Sequence, residues 1–330
     1  GQRTLMTLIL RKLLASSTYA ISGTLQGLAD KLEATLNKQK VIQPEFNEVI
    51  SSNYEIYEEQ VEEWIDEDED EQVQPEERKY TPDELAEISK EIISLNEFKK
   101  LAKSIQVNSK GEALFTALSR AFEKLQELKA NKKAIIFTES TRTQEYLKNI
   151  LEARGYKNEI VLFNGSNNDP QSNQIYQQWF KAHQGTDKIT GSKTADKRAA
   201  IVDYFRDKAT IMIATEAAAE GINLQFCSLV VNYDLPWNPQ RIEQRIGRCH
   251  RYGQKYDVVV VNFLNNTNAA DQRVYQLLDE KFQLFNGVFG ASDEVLGTIE
   301  SGVDFEKRIV NIYQTCRTPE TIKFAFDSLQ

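Results

Sequence analysis

The chain has 330 residues, 41% of them hydrophobic and 10% aromatic, enough apolar mass for about two packed domains. Its formal net charge is −9, yet residues 55–71 carry eleven acidic side chains and no basic one; taking those eleven charges away leaves +2, so whole-chain acidity does not exclude an anionic partner. Three cysteines (Cys227, Cys249 and Cys316) without a CxxC pair exclude a disulfide framework, and with only two histidines no Cys/His metal site is expected.

Residues 1–65 read as a helical accessory region, because Leu5, Ile9 and Leu13, then Leu25, Leu28, Leu32 and Leu36, recur at helical spacing. The apolar run at 5–10 stops at Arg11-Lys12, too short for a membrane span and without a signal-type cleavage site, so no membrane partner and a cytoplasmic setting are expected. The chain opens on Gly1 rather than Met and reads as a piece of a longer protein. An acidic linker occupies 66–80. The acidic run of 55–71 is either a solvated stretch or a dock for a basic protein partner. Helix resumes at Thr81-Pro82-Asp83-Glu84, a capping box with proline at the first helical position. Residues 81–130 form a helical segment leading onward, and Leu114, Leu118, Phe122, Leu125 and Leu128 give its second half an apolar face.

From 131 to 285 short apolar runs alternate with helical stretches. Strands are predicted at 134–137, 160–163, 211–214, 229–233 and 258–261, with helices near 142–153, 171–183, 194–206, 216–219 and 238–252. Strands lacking polar alternation and separated by helices indicate an α/β fold, a parallel sheet covered on both faces. Ligands of such sheets sit outside the carboxyl ends of the strands. The polar residues there are Thr138 and Arg142, Asn164 and Ser166, Thr215 and Glu216, and Asp234. Residues 286–330 read as a helical C-terminal extension.

The segment Asp234-Leu235-Pro236-Trp237-Asn238-Pro239, followed by Gln240 to Arg251, places four arginines after a strand. Asn238 suits an N-cap and Pro239 the first turn. At about 100° per residue, Gln244, Arg248 and Arg251 share one face, while Ile242, Ile246 and Cys249 fall roughly opposite. Guanidinium forks match phosphate oxygens in geometry and charge; an exposed basic helix of no special role has the same composition. Trp237, between two prolines, fits a brace for this loop better than a base-stacking platform.

Three segments together carry a family resemblance. Ile213-Ala214-Thr215-Glu216-Ala217-Ala218-Ala219-Glu220-Gly221-Ile222-Asn223-Leu224 resembles helicase motif V. Gln244-Arg245-Ile246-Gly247-Arg248-Cys249-His250-Arg251-Tyr252-Gly253-Gln254 resembles motif VI, and its His-Arg-x-Gly-Gln ending is similar to the Swi/Snf-type branch of superfamily-two ATPases. Residues 134–138 with Arg142 resemble motif IV. The resemblance spans about 130–265 and implies the second RecA-like lobe of a two-lobe motor, with ATP and Mg²⁺ bound mainly by the first lobe. It implies that Arg248 and Arg251 are arginine fingers for the γ-phosphate, a device worth about 10³–10⁵ in rate in related enzymes. It also implies that Gln244 meets the nucleotide, that Gly221 permits close backbone approach, and that Glu220 and Asn223 line the ribose or the interlobe face. Nucleic acid would cross the strand ends at Thr138, Arg142, Ser166 and Thr215 through backbone contacts; each of these residues is equally suited to capping a helix.

The chain departs from the family pattern. It has no GxxxxGK[ST] loop, and residues 185–194 have the wrong glycine spacing for one. The fragment alone is therefore not expected to hydrolyse ATP. Residues 167–193 form an insert expected to pack as its own helix and loop. The whole protein is read as a translocase on double-stranded DNA; the alternatives are a strand-separating DNA or RNA helicase and a catalytically silent nucleic-acid-binding scaffold.

Overall fold

The computed structural model describes residues 16–38, 81–104, 109–216, 221–250 and 256–264, together with 272–273, 275–276, 308–309, 311–313, 315–316 and 318–328. The chain divides into two compact units: a helical one (Gly1–Ser109 with Glu139–Tyr146) and an α/β one (Lys110–Thr138 with Leu147–Gln330).

In the helical unit, α1 (Thr18–Lys38) packs against α2 (Pro82–Ser104). The capping box that opens α2 is formed: the Glu84 amide donates to Thr81 Oγ1 (3.3 Å) and the Thr81 amide to Glu84 Oε2 (2.8 Å). Leu28 and Leu32 of α1 and Ile92 and Ala102 of α2 are buried, and Lys99 Nζ donates to Gln26 Oε1 at 2.7 Å.

The α/β unit opens with α3 (Ser109–Glu127), which buries Leu114, Leu118, Phe122 and Leu125, and continues into β1 (Ala134–Thr138). Helix α4 (Thr141–Leu151), whose residues through Tyr146 belong to the helical unit, precedes β2 (Ile160–Phe163). Next come α5 (Pro170–Ala182), α6 (Lys193–Asp207), β3 (Ile211–Thr215), β4 (Leu229–Asn232), α7 (Pro239–Cys249) and β5 (Val259–Asn262), with α8 (Pro319–Asp327) near the end. The five strands form one parallel sheet in the order β2-β3-β1-β4-β5. Every residue of β1 to β4 is buried, which is why these segments read as unbroken apolar runs; edge strand β5 is only half-buried. Ile135, Phe137, Phe163, Ile201, Phe205 and Met212 belong to one core cluster.

This is the parallel α/β sheet expected from the sequence. The insert packs as α5, capped by Asp169, whose side chain accepts from the Ser172 amide. Trp179 Nε1 donates to Asp203 Oδ2 at 2.8 Å and so pins α5 to α6. The helix expected near 216–219, apart from Glu216, the linker at 66–80, and residues 286–307 of the C-terminal extension lie outside the described residues. Among the described residues no helix is long and apolar enough to cross a membrane.

Candidate nucleotide and nucleic-acid interface

Helix α7 sorts its side chains as the helical period requires. Ile242 (0% exposed), Ile246 (2%) and Cys249 (0%) face the core. Gln244 is exposed and Arg248 half-buried, and neither side chain is hydrogen-bonded among the described residues. Burial and the neighbouring Cys227 thiol, which shares a hydrogen bond with Cys249, push the Cys249 thiol above its ordinary range, the hydrogen bond being the larger influence.

The other two arginines of α7 turn inward. Arg245 Nη1 donates to Asn232 Oδ1 (3.0 Å) and to the Asp234 carbonyl (2.8 Å), and Nε donates to Glu216 Oε2 (3.1 Å). A second guanidinium nitrogen, Nη2, closes the ion pair with Glu216. The guanidinium lies over the Phe137 ring, 4.9 Å from its centroid. Asn232 also donates through Nδ2 to Asn262 Oδ1 at 2.7 Å, its register partner on β5. Arg241 is likewise buried. A buried guanidinium keeps its charge, so it must be met by a carboxylate and enough acceptors to replace water; Glu216, Asn232 and the Asp234 carbonyl do so.

Asp234 is a second knot. Its Oδ2 accepts from Thr138 Oγ1 (2.6 Å) and its Oδ1 from Lys110 Nζ (2.9 Å), with the Lys110 ammonium 4.2 Å from the centre of the Tyr233 ring. The Asp234 carbonyl serves Arg245 while its carboxylate serves Thr138 and Lys110. One residue therefore joins α3, the end of β1 and α7.

Thr138 and Thr215 are register partners at the carboxyl ends of β1 and β3, and both are buried. Ser166 is exposed beyond β2, with β3 between that strand and β1, and its hydroxyl donates to Asn164 Oδ1 at 3.2 Å. Arg142 belongs to the helical unit. Gly221 has φ +75°, a backbone that favours glycine, and a Cβ there would meet nothing within 4 Å, so conformation rather than space selects the residue. Asn223 is exposed, and its Oδ1 accepts from the Gln225 amide at 3.2 Å. The Leu224 amide donates to the Arg248 carbonyl at 2.9 Å, bringing the segment after Gly221 onto the end of α7. Arg251 and Glu220 lie outside the described residues. Among the described residues no group of three or more metal-ligating side chains is found. Trp237 is 1% exposed and sits 6.1 Å from the Tyr313 ring, a brace for the loop before α7.

Residues 159–253 match the helicase conserved C-terminal domain. That matched segment lies within the α/β unit and contains α7. A stretch of 161 residues, 48% of this chain, is 42% identical to the ATP-dependent helicase YqhH of Bacillus subtilis (strain 168), 28% of which is covered. A stretch of 76 residues, 23% of the chain, is 43% identical to the RNA polymerase-associated protein RapA of Serratia proteamaculans (strain 568), 8% of which is covered. The chain thus spans well under a third of either relative. The C-terminal part of the Fun30 ATPase domain aligns with a TM-score of 0.37 at 18% identity, over 74% of this chain and 70% of that one.

Within the α/β unit, sequence reasoning missed Arg245, Asn232 and Lys110, and with them the contacts that tie Glu216 and Asp234, already placed at strand ends, into an inner layer. A signal for part of it existed. Arg245 stands one residue, about 100° of helical turn, from Gln244, so it does not share the outward face; strand-final Asn232 and the following Asp234 supply the acceptors an inward arginine needs.

Proposed function

We propose that this chain supplies the second motor lobe of a nucleic-acid-dependent ATPase of Swi/Snf type, which couples ATP hydrolysis to movement along double-stranded DNA. The observation that carries the reading is the partition of α7: Arg245 is spent inward on fixing the helix and Arg241 is buried, while Gln244 and Arg248 stand outward without hydrogen-bond partners among the described residues. That arrangement fits a nucleotide presented from outside. ATP with Mg²⁺ is held mainly by a first RecA-like lobe of the same protein. Arg248, with Arg251, neutralises charge on the transferring phosphoryl group, and the chain of contacts behind Arg245 keeps the helix from yielding as it does so. Gln244, Glu220, Gly221 and Asn223 border the nucleotide. The ends of β1, β2 and β3 face the nucleic-acid backbone: Ser166, which is exposed, contacts it, and Thr138 and Thr215, both buried, shape the strand ends beneath it. Thr138 acts there through Asp234, since its hydroxyl is already donated.

The similarity to an ATP-dependent helicase supports the ATPase part of the reading. The motif VI ending supports the duplex-translocating branch. The test is ATP turnover by the whole protein, measured with duplex DNA, single-stranded DNA and RNA, beside a strand-displacement assay. Stimulation by duplex without displacement is expected. Turnover that needs single strands, or steady unwinding, would replace this reading with a strand-separating helicase; no turnover with any nucleic acid would leave a silent scaffold.

A further inference from the structure

We propose that a cavity within the helical unit binds a phosphate ester of nucleotide size, with its phosphate seated on Arg142. The cavity measures about 510 Å³ and is walled by one face of α1 (Tyr19, Gly23 and Asp30), by Lys103 at the end of α2, and by Arg142 and Tyr146 of α4. Such a volume lies in the range of small-molecule sites and far exceeds that of a bare phosphate.

Three observations converge on an anion. Arg142 Nε is buried without a hydrogen-bond partner among the described residues, whereas a buried guanidinium nitrogen is normally bonded. Ser22 and Thr18 also line the cavity, and neither hydroxyl has a partner among the described residues although Ser22 is only 6% exposed. The third observation is Gly23. Glycine weakens a helix interior relative to alanine, yet here a Cβ would collide with Arg142 Nη1, so the glycine makes room for the guanidinium. The guanidinium, the Lys103 ammonium and two hydroxyls form a donor-rich set suited to a tetrahedral oxyanion. The single acid among the described wall residues, Asp30, accepts from Gln26 Nε2 at 2.5 Å, which partly occupies its carboxylate.

The organic part of the ligand has its own surface. Tyr19 and Tyr146 stack with centroids 6.0 Å apart and planes 24° from parallel, and Tyr19 is 48% exposed. An aromatic pair beside a phosphate seat suits a flat heterocyclic base. A free mononucleotide and one nucleotide of a single strand present the same chemistry. This cavity lies wholly in the helical unit and does not depend on the motor reading of the α/β lobe.

Calorimetric titration of the chain with inorganic phosphate, adenosine monophosphate and a short single-stranded DNA tests the proposal. Adenosine monophosphate is expected to bind with a Kd below about 1 mM, and more tightly than inorganic phosphate. Gly23→Ala, which keeps every charge but displaces the guanidinium, and Arg142→Gln should each weaken it by about tenfold or more. Retention of the wild-type melting temperature by Gly23→Ala shows that the loss is not unfolding. Arg248→Ala, in the other unit, should leave this isotherm unchanged, which separates the cavity from the nucleotide site of the motor. If the oligonucleotide binds much more tightly than the monophosphate and Gly23→Ala weakens it too, the source is a strand; if it binds no more tightly, the source is the free nucleotide. Affinity for the monophosphate that survives both substitutions, or no binding of it up to about 5 mM, overturns the proposal.

Discussion

Arg245 on α7 and Glu216 just beyond β3 form a buried ion pair that fastens α7 to the carboxyl end of β3. The side chains are 2% and 13% exposed, so the two charges meet where little water reaches them. Arg245→Ala removes the buried guanidinium that meets the Glu216 carboxylate, the Asn232 side chain and the Asp234 carbonyl. It should cost about 3–5 kcal/mol in urea unfolding of the chain. Arg245→Lys retains the charge but replaces the planar fork, which reaches three acceptor groups, with one ammonium, so an intermediate loss of about 1–3 kcal/mol is expected. An alanine variant within about 0.5 kcal/mol of wild type would show that the pair is not structural.

Arg248, one helical turn further on, should behave in the opposite way. It is half-buried and its side chain meets no hydrogen-bonding group among the described residues. Arg248→Ala should therefore change stability by less than about 0.5 kcal/mol. In the whole protein, ATP turnover should fall by ~10³-fold or more while nucleotide affinity persists. Wild-type turnover in the variant would remove Arg248 from the reaction.

The contrast between these two arginines shows what the sequence could reveal. The parallel sheet was legible because β1 to β4 are buried along their whole length and therefore carry no polar alternation. The outward face of α7 was legible because Gln244 and Arg248 are one turn apart. Arg245 was not, because its partners Glu216, Asn232 and Asp234 come from three separate stretches of chain that only folding brings together. Thr138 shows the same difficulty from the other side: a hydroxyl at a strand end reads as available, and only the structure reveals that Asp234 takes it. Arg142 was legible as a cation after β1, but the helix face it meets lies more than a hundred residues earlier, and no local pattern links Gly23 to it.

Asp234 holds three structural segments at once, so replacing its partners should separate their contributions. Thr138→Val removes the 2.6 Å hydrogen bond at a fully buried site while keeping the side chain's shape. It should cost about 1–2 kcal/mol in urea unfolding, because the carboxylate loses one donor but keeps Lys110. Asp234→Asn should cost more, since the Lys110 ammonium then has no counter-charge in this contact. In a double-mutant cycle, Thr138→Val should add almost nothing in the Asp234→Ala background. Full additivity there would mean that the hydroxyl and the carboxylate do not work together.

Thiol chemistry offers a check on the lobe's interior. Cys227 and Cys249 are fully buried, and the Cys249 thiol is held above its ordinary range, whereas Cys316 is partly exposed. Alkylation requires the thiolate and access to it. Mass spectrometry of the native chain after brief iodoacetamide treatment near neutral pH should find one adduct, at Cys316, and three only after denaturation. Rapid modification of Cys249 in the folded chain would mean that α7 does not rest on the sheet as described.

Acid should loosen the insert before the sheet. Asp196 is 2% exposed, and its Oδ1 accepts from the Thr190 amide (2.8 Å) and the Thr190 hydroxyl (2.7 Å), tying the loop after α5 to the start of α6. These bonds, the amide first and then the hydroxyl, hold its carboxyl below the ordinary carboxylate value. A depressed native pKa means that the folded state favours the ionised form. The resulting stabilisation is present in full above the unfolded value of about 4 and drains away as pH falls through the lower native value. Protection of the Thr190 amide against hydrogen exchange, corrected for the intrinsic rate, should hold from neutral pH to about 5 and decline below about 4. Asp196→Ala should abolish that protection at every pH. Protection in the variant equal to wild type would show that the carboxylate does not hold the loop.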